Sequence, residues 1–197
     1  MPYINLATED ALSEAIGLKL ISTFIPSFDV NLKLGKKGNG LLKAKLSAYC
    51  EMARRAPFLL ITDLDAATCA PALIRNWLGN IASPDGFLFR VAVREVEGWL
   101  LADQVSVERL LGNRVNAPRD PDNIRHPKGH LLHLARRAPR EVRRDLLAEE
   151  GAIASQGLGY NQRLCEYVNA SWNPSHAAER SESLRRVIRR LERLTAT

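Results

Sequence analysis

Hydrophobic and polar positions alternate with two different periods along the first hundred residues, and one run follows neither. Phe58 to Ile61 is apolar at every position, with Pro57 before it and Asp63 and Asp65 after it. So short and uniform a run predicts a strand buried on both faces, the central strand of an α/β sheet. Tyr3 to Thr8 (YINLAT) is a second strand candidate, running straight into Glu9 and Asp10. Leu12, Ile16, Leu20 and Phe24 then recur at four-residue intervals, which predicts an amphipathic helix over 10–24, capped by Thr8 or Asp10. Phe28, Val30, Leu32 and Leu34 alternate with Asp29, Asn31 and Lys33, the period of a half-exposed or edge strand. A basic glycine turn at 35–40 leads into a helix predicted over Leu41 to Arg54. Cys69-Ala70-Pro71 opens another helix through Leu78, with Pro71 in its first turn. Phe87 to Val93 reads as a further strand.

From Gln104 onward the pattern changes. Clear strands cease, Arg and Pro become frequent, and turns are expected at Asn113, Pro118 and Pro121. Short helical patches fall at 131–137 and 140–147. Ser181 to Leu194 is a helix with an apolar stripe of Leu184, Val187, Ile188, Leu191 and Leu194. Arg185, Arg186, Arg189, Arg190 and Arg193 take its other faces, for solvent or for a nucleic-acid backbone. The chain thus divides into an α/β core over 1–103 and a helical, Arg-rich extension over 104–197 packed on it.

Composition narrows the class. With 197 residues, 46% hydrophobic and 25% charged, the chain suits one globular domain with an appended subdomain. It has no apolar run of transmembrane length. Its start lacks the basic and apolar regions of a signal peptide. Cys50, Cys69 and Cys165 lie far apart without CxxC spacing, which points to a reducing cytoplasm rather than a disulfide framework or a structural zinc site. The net charge of +6 is uneven: residues 1–98 carry 11 basic and 10 acidic side chains, residues 99–197 carry 17 and 12. A basic half beside an acidic site suits a polyanion-handling protein, although Arg-rich composition alone says little.

The acids are where the chemistry lies. Asp63 and Asp65 leave the predicted central strand, Glu9 leaves the first, and Glu95 and Glu97 leave the strand at 87–93. Ligands of open α/β sheets bind at the carboxyl ends of strands. A hard divalent cation, Mg²⁺ or Mn²⁺, is commonly held there by one or two carboxylates and substrate phosphates. Glu95 and Glu97 share a face on a strand but diverge on a starting helix, so either could be the ligand, with Glu97 preferred.

Three other features invite chemistry. The turn Gly35-Lys36-Lys37-Gly38-Asn39-Gly40 lacks P-loop and dinucleotide spacing, and reads as a plain turn with phosphate contact from Lys36 or Lys37 as the alternative. His126, His130 and His133 suggest a metal, but Pro127 and Gly129 are expected to interrupt a helix holding them, and no carboxylate completes the set. Lys128 between them could neutralise a phosphoryl group.

The segments TED at 8–10, ITDLDAATCAP at 61–71 and VAVREVEGWLLAD at 91–103 resemble the Toprim domain of topoisomerases, primases and OLD nucleases. They are most similar to a family of small bacterial Toprim-like proteins commonly encoded beside AAA-type ATPases. HPKG at 126–129, GLGYN at 157–161, Trp172 and SESL at 181–184 extend the resemblance over most of the chain. One departure is Asp10, where Toprim domains usually carry glycine, so Glu9 alone or the Glu9–Asp10 pair would face the metal.

The resemblance implies a mostly parallel sheet flanked by helices. It implies Glu9, Asp63, Asp65 and Glu97, with Glu95 as the alternative, around one or two Mg²⁺ or Mn²⁺ ions, and Glu9 as ligand or general base. Lys128 would be the electrostatic helper in hydrolysis of DNA or RNA. The chain would be the effector of an ATPase-associated, phage-defence-type system, cytoplasmic, with self-association left open.

Two enzyme rivals use DxD. Haloacid-dehalogenase phosphatases need Thr or Val where Ala67 stands, and glycosyltransferases find no other support here. The non-enzymatic rival is a regulatory partner of an AAA ATPase, docking through the basic face and the Trp99-Leu100-Leu101 segment.

Overall fold

The computed structural model describes residues 1–112 and 116–195; the turn expected at Asn113 lies outside the described residues. Four strands, β1 (Tyr3–Thr8), β2 (Asp29–Gly35), β3 (Phe58–Asp63) and β4 (Phe87–Ala92), form one parallel sheet in the order β2-β1-β3-β4. β3 is interior, as its unbroken apolar run requires, and its first five residues are buried. β2 is an edge strand, mostly exposed, in line with its alternating pattern. The register brings Thr8 opposite Ile61 and Asp63 opposite Ala92. Three strands therefore end together, which sets the acids that follow them side by side.

Helix α1 (Ala11–Phe24) is capped by Asp10, whose carboxylate accepts from the Ser13 amide at 2.8 Å. Asp10 thus has a structural role beside Glu9. The segment expected as one helix over 41–54 is two, α2 (Gly38–Ala44) and α3 (Leu46–Ala53), hinged at Lys45. The break turns Leu42 on one helix and Leu46, Tyr49 and Cys50 on the next into the same apolar cluster. Helix α4 (Ala70–Leu78) carries Pro71 in its first turn, as its sequence predicts. Together α2, α3 and α4 cover the sheet face carrying Phe58, Leu60, Phe87 and Phe89.

The opposite face, with Leu6, Leu59, Ile61 and Leu88, is covered by α1 and by the extension. After β4 come α5 (Glu97–Ala102), α6 (Gln104–Leu111), α7 (Pro127–Ala135), α8 (Arg140–Leu146), α9 (Tyr160–Ala170), α10 (Pro174–Arg180) and α11 (Glu182–Glu192). The extension is helical as expected, without a further strand among the described residues. Its apolar side chains merge with those of α1, β1, β3 and β4 into one cluster from Ile4 to Leu191.

Two expectations are corrected here. Helix α7 runs through Gly129: Pro127 occupies its first turn, where a missing N–H costs nothing, and glycine two residues on is tolerated. The Trp99-Leu100-Leu101 segment offers no docking surface, because all three side chains are completely buried. Trp99 donates its indole N–H to Ser183 at 2.8 Å, and Trp172 donates to the Trp99 carbonyl at 3.2 Å. Buried Asp103 ties α6 to α10 by accepting from the Ser106 hydroxyl and the Asn173 amide. Ser181 caps α11, and the predicted stripe of Leu184, Val187, Ile188 and Leu191 is buried against α1 and β4.

Candidate metal centre

The carboxyl ends of β1, β3 and β4 converge. One oxygen of Glu9 accepts from both the Thr62 hydroxyl and, at 2.9 Å, the Asp63 amide, which fixes the end of β1 against β3. One oxygen of Asp63 accepts from the Val96 amide at 2.9 Å, clamping β3 to the start of α5. Asp65 has a left-handed backbone (φ 50°), as does Arg94 (φ 23°), and the Asp65 amide donates to the Arg94 carbonyl at 2.9 Å. The Arg94 guanidinium returns two bonds, to the Asp65 and Ala67 carbonyls, both 3.0 Å. Non-glycine residues with positive φ are uncommon, and here two of them hold a DxD turn.

The electrostatics show which acids face one another. Asp63 is pushed up to about 9, first by burial and then by the charges of Glu97, Glu9 and Asp65. Burial also raises Glu9, against the stabilising bonds from Thr62 and Asp63, and raises Glu97, against the bond from Tyr160. The Tyr160 hydroxyl is itself held well above the phenol range by burial and the Glu97 charge. None of these four acids forms an ion pair with a cationic side chain among the described residues.

Glu95 and Glu97 diverge, because Glu97 is already the first residue of α5. Glu97 is buried, turned toward Asp63, and accepts from Tyr160 at 2.7 Å. Glu95 instead accepts from the Lys128 amide at 2.7 Å, at the N-terminus of α7, where a carboxylate satisfies an otherwise free N–H. The Lys128 ammonium lies 5.0 Å from the centre of the Tyr160 ring and favours the ionised form of Glu97. Glu9 and Asp63 thus meet through the end of β3, Glu97 and Asp65 add to the charge around Asp63, and Glu95 is held apart at the start of α7.

Other candidates fall away. The amides of Lys36 and Gly38 are spent on the Thr8 and Glu9 carbonyls, and the Lys36 ammonium pairs with Glu14 at 3.3 Å, as in a plain turn. It contributes Asn39, which donates to Asp65 at 3.3 Å. His130 and His133 share α7, but no group of three His, Cys, Asp or Glu is drawn together to hold a metal among the described residues.

Sequence reasoning gave Thr62, Asn39, Arg94 and Tyr160 no role. Tyr160 had a signal: with Leu164, Tyr167 and Val168 it forms the buried stripe of α9, at helical spacing. The polar residues between them and the glycines at 157 and 159 obscured it.

The all-oxygen donor set fits a hard divalent cation. Asp63, Glu9 and Glu97 each keep an oxygen outside the hydrogen bonds above, and their mutual repulsion is what a cation relieves. Mg²⁺ needs only one or two carboxylates beside water and phosphate oxygens, so the absence of a tight three-residue cluster does not count against it.

The fold and site define a class: a parallel α/β domain with a carboxylate cluster at the ends of three strands, roofed by helices. No family model matches the chain, and no curated protein matches it. Among solved structures it is similar to the C-terminal region of the Burkholderia pseudomallei OLD protein, with 14% identity and a TM-score of 0.46, covering 94% of this chain and 98% of that one. The likeness is remote in both sequence and geometry. Among the described residues, no helix is long and apolar enough to cross a membrane.

Proposed function

We propose that this chain is a Toprim-type phosphodiesterase that cleaves nucleic acid with Mg²⁺ or Mn²⁺. The observation behind this is the setting of Asp63 at the end of β3, where burial and the neighbouring Glu97, Glu9 and Asp65 push its carboxyl up to about 9, so that it holds its proton until a cation replaces it. A buried acid facing only other acids is costly unless a cation joins it. Asp63, Glu97, Glu9 and Asp65 would hold the ion, which when bound polarises a phosphodiester and lowers the pKa of its water. In place of a ligand role, Glu9, with raised proton affinity, would take the proton of the attacking water on the oxygen left outside its hydrogen bonds. Lys128 offsets the charge that builds on the phosphoryl oxygens, and Tyr160 keeps Glu97 aimed at the centre.

The test is a cleavage assay on plasmid, single-stranded DNA and RNA with Mg²⁺ or Mn²⁺, beside an Asp63→Asn, Asp65→Asn variant. Asparagine keeps the shape and tolerates the positive φ of residue 65. Cleavage that the variant loses while remaining folded supports the reading. A wild type that neither cleaves nor gains thermal stability from either ion refutes it.

A second reading, a non-catalytic partner of an AAA-type ATPase, draws on one observation: no three donors are already gathered around a point among the described residues. Stabilisation by Mg²⁺ without cleavage, with or without such an ATPase, would favour it.

A further inference from the structure

Three clefts adjoin one another along the outer side of α7 and α8. The first, about 350 Å³, is lined by Asp65, Arg94, Glu95, Arg125 and His126, and so reaches the carboxylate centre at Asp65. The second, about 370 Å³, shares Glu95 and His126 with the first and continues past Lys128 and His133 to Arg136. The third, about 470 Å³, shares Arg136 and Leu147 with the second and adds Arg140, Arg143 and Arg144. Shared walls make them one trough, with Asp65 and Glu95 at one end, basic side chains predominating along the rest and Glu149 in the far wall.

Most cations of this trough are uncommitted, although Arg144 pairs with Asp145 at 3.4 Å and Lys128 lies over the Tyr160 ring. Arg125, Arg136, Arg140 and Arg143 are exposed and form no ion pair among the described residues. Arg94 is bonded only to neutral carbonyls, which leaves its charge uncompensated. The arginines of α11, the obvious nucleic-acid face from sequence, differ. Arg185 and Arg186 pair with Glu182, and Arg190 donates to the Asp85 carbonyl. That face is partly neutralised and serves to fasten the helix.

We infer that the trough along α7 and α8, and not the arginine face of α11, holds the sugar–phosphate backbone of duplex DNA and leads it to the carboxylate centre. The inference rests on the nucleic-acid reading above and names the surface and the form of the substrate. Charge complementarity carries it: α7 alone is about 13 Å long at 1.5 Å per residue, and a DNA duplex presents one phosphate per ~1.7 Å of axis. Single strands are usually held by stacking on aromatic side chains, and the lining offers only the imidazoles of His126 and His133, with no Phe, Tyr or Trp. Duplex RNA is recognised through its 2′-hydroxyls as well as its phosphates, and Ser155 is the one hydroxyl side chain of the lining.

The test is fluorescence anisotropy of labelled duplex DNA, single-stranded DNA and duplex RNA across a salt series without divalent cation. The full chain is compared with Arg136→Glu, Arg140→Glu, Arg143→Glu and with a control of equal charge change, Arg186→Glu, Arg189→Glu, Arg193→Glu. All six side chains are exposed, so both variants should fold, which circular dichroism checks. The trough variant should lose duplex affinity by about tenfold or more and flatten the slope of log K against log salt by about 0.9 per contact removed. The control should change affinity by less than about threefold. A control loss equal to or greater than the trough loss overturns the inference, as does tighter binding of single strands or RNA by the wild type. Trough-dependent duplex binding without cleavage in Mg²⁺ or Mn²⁺ would leave the inference standing and remove the hydrolase reading. Cleavage of duplex at the wild-type rate by the trough variant would do the reverse.

Discussion

The Tyr160 hydroxyl donates a 2.7 Å hydrogen bond to Glu97, joining the first turns of two helices that lie 63 residues apart in the chain. Both side chains are buried, so the bond is the means by which the extension holds an acid of the core's site. Hydrogen bonds to charged groups contribute about 1.5–3 kcal/mol, and a buried acceptor left without its donor costs at least as much. Tyr160→Phe should therefore lower the unfolding free energy by about 1.5–3 kcal/mol in urea titrations. A loss under about 0.5 kcal/mol would mean that water replaces the phenol and that Tyr160 does not organise the site.

Stability should depend on pH through Asp63. Its carboxyl rises from 3.8 to about 9 on folding, so the folded state binds the proton more tightly. The resulting stability is complete below the unfolded value, declines as pH rises, and is gone above the folded one. Glu9 and Glu97 shift in the same direction. The melting temperature in a chelator should fall between about pH 5 and 9, and Asp63→Asn should flatten that fall. Saturating Mg²⁺ should flatten it in the wild type, since the cation replaces the proton. A melting temperature that climbs over this range would contradict the carboxylate cluster.

Glu95 and Glu97 should separate in their effects. Glu95→Gln weakens the carboxylate at the N-terminus of α7 and should cost about 0.5–1 kcal/mol in stability, with Mg²⁺ binding largely kept. Glu97→Gln removes a negative charge beside Asp63, so the chelated protein should keep or gain stability while its Mg²⁺ affinity drops. Calorimetric titration of both variants decides the matter; equal Mg²⁺ affinities would remove Glu97 from the centre.

Trp99 should act on the core alone. It is fully buried, and truncation of a buried tryptophan costs about 3–5 kcal/mol. Trp99→Ala should unfold at far lower urea. Trp99→Phe should lose less, chiefly the bond to Ser183. A folded Trp99→Ala protein of wild-type stability would show that the packing of α5 is misplaced.

Gly35 should prove irreplaceable. Its φ of +94° is open to glycine, and a Cβ there would stand 2.2 Å from the Thr8 carbonyl oxygen. Gly35→Ala must move either β2 or the end of β1, and with it Glu9. A stability loss of about 2–4 kcal/mol is expected from the combined clash and backbone strain, read by thermal melting.

Much of the core was legible in the chain because it rests on short-range rules. An all-apolar run with carboxylates at its end makes an interior strand with acids at the sheet edge. A period of two makes an edge strand, and Asp10, Pro71 and Ser181 start helices by satisfying or lacking N–H groups. These signals act within a few residues, and β1, β3 and α4 follow them closely.

Only the tertiary structure decided the rest. Whether Trp99 lies at the surface or in the core, and that Tyr160 holds Glu97 while the Lys128 amide holds Glu95, depend on contacts between residues dozens of positions apart. Lys45 breaks a helix so that two short ones can bury Leu42 and Leu46 on the same sheet face. Local propensity fixes where a chain can turn and which side is apolar. Burial and charge pairing, which require the whole fold, fix what each side chain then meets.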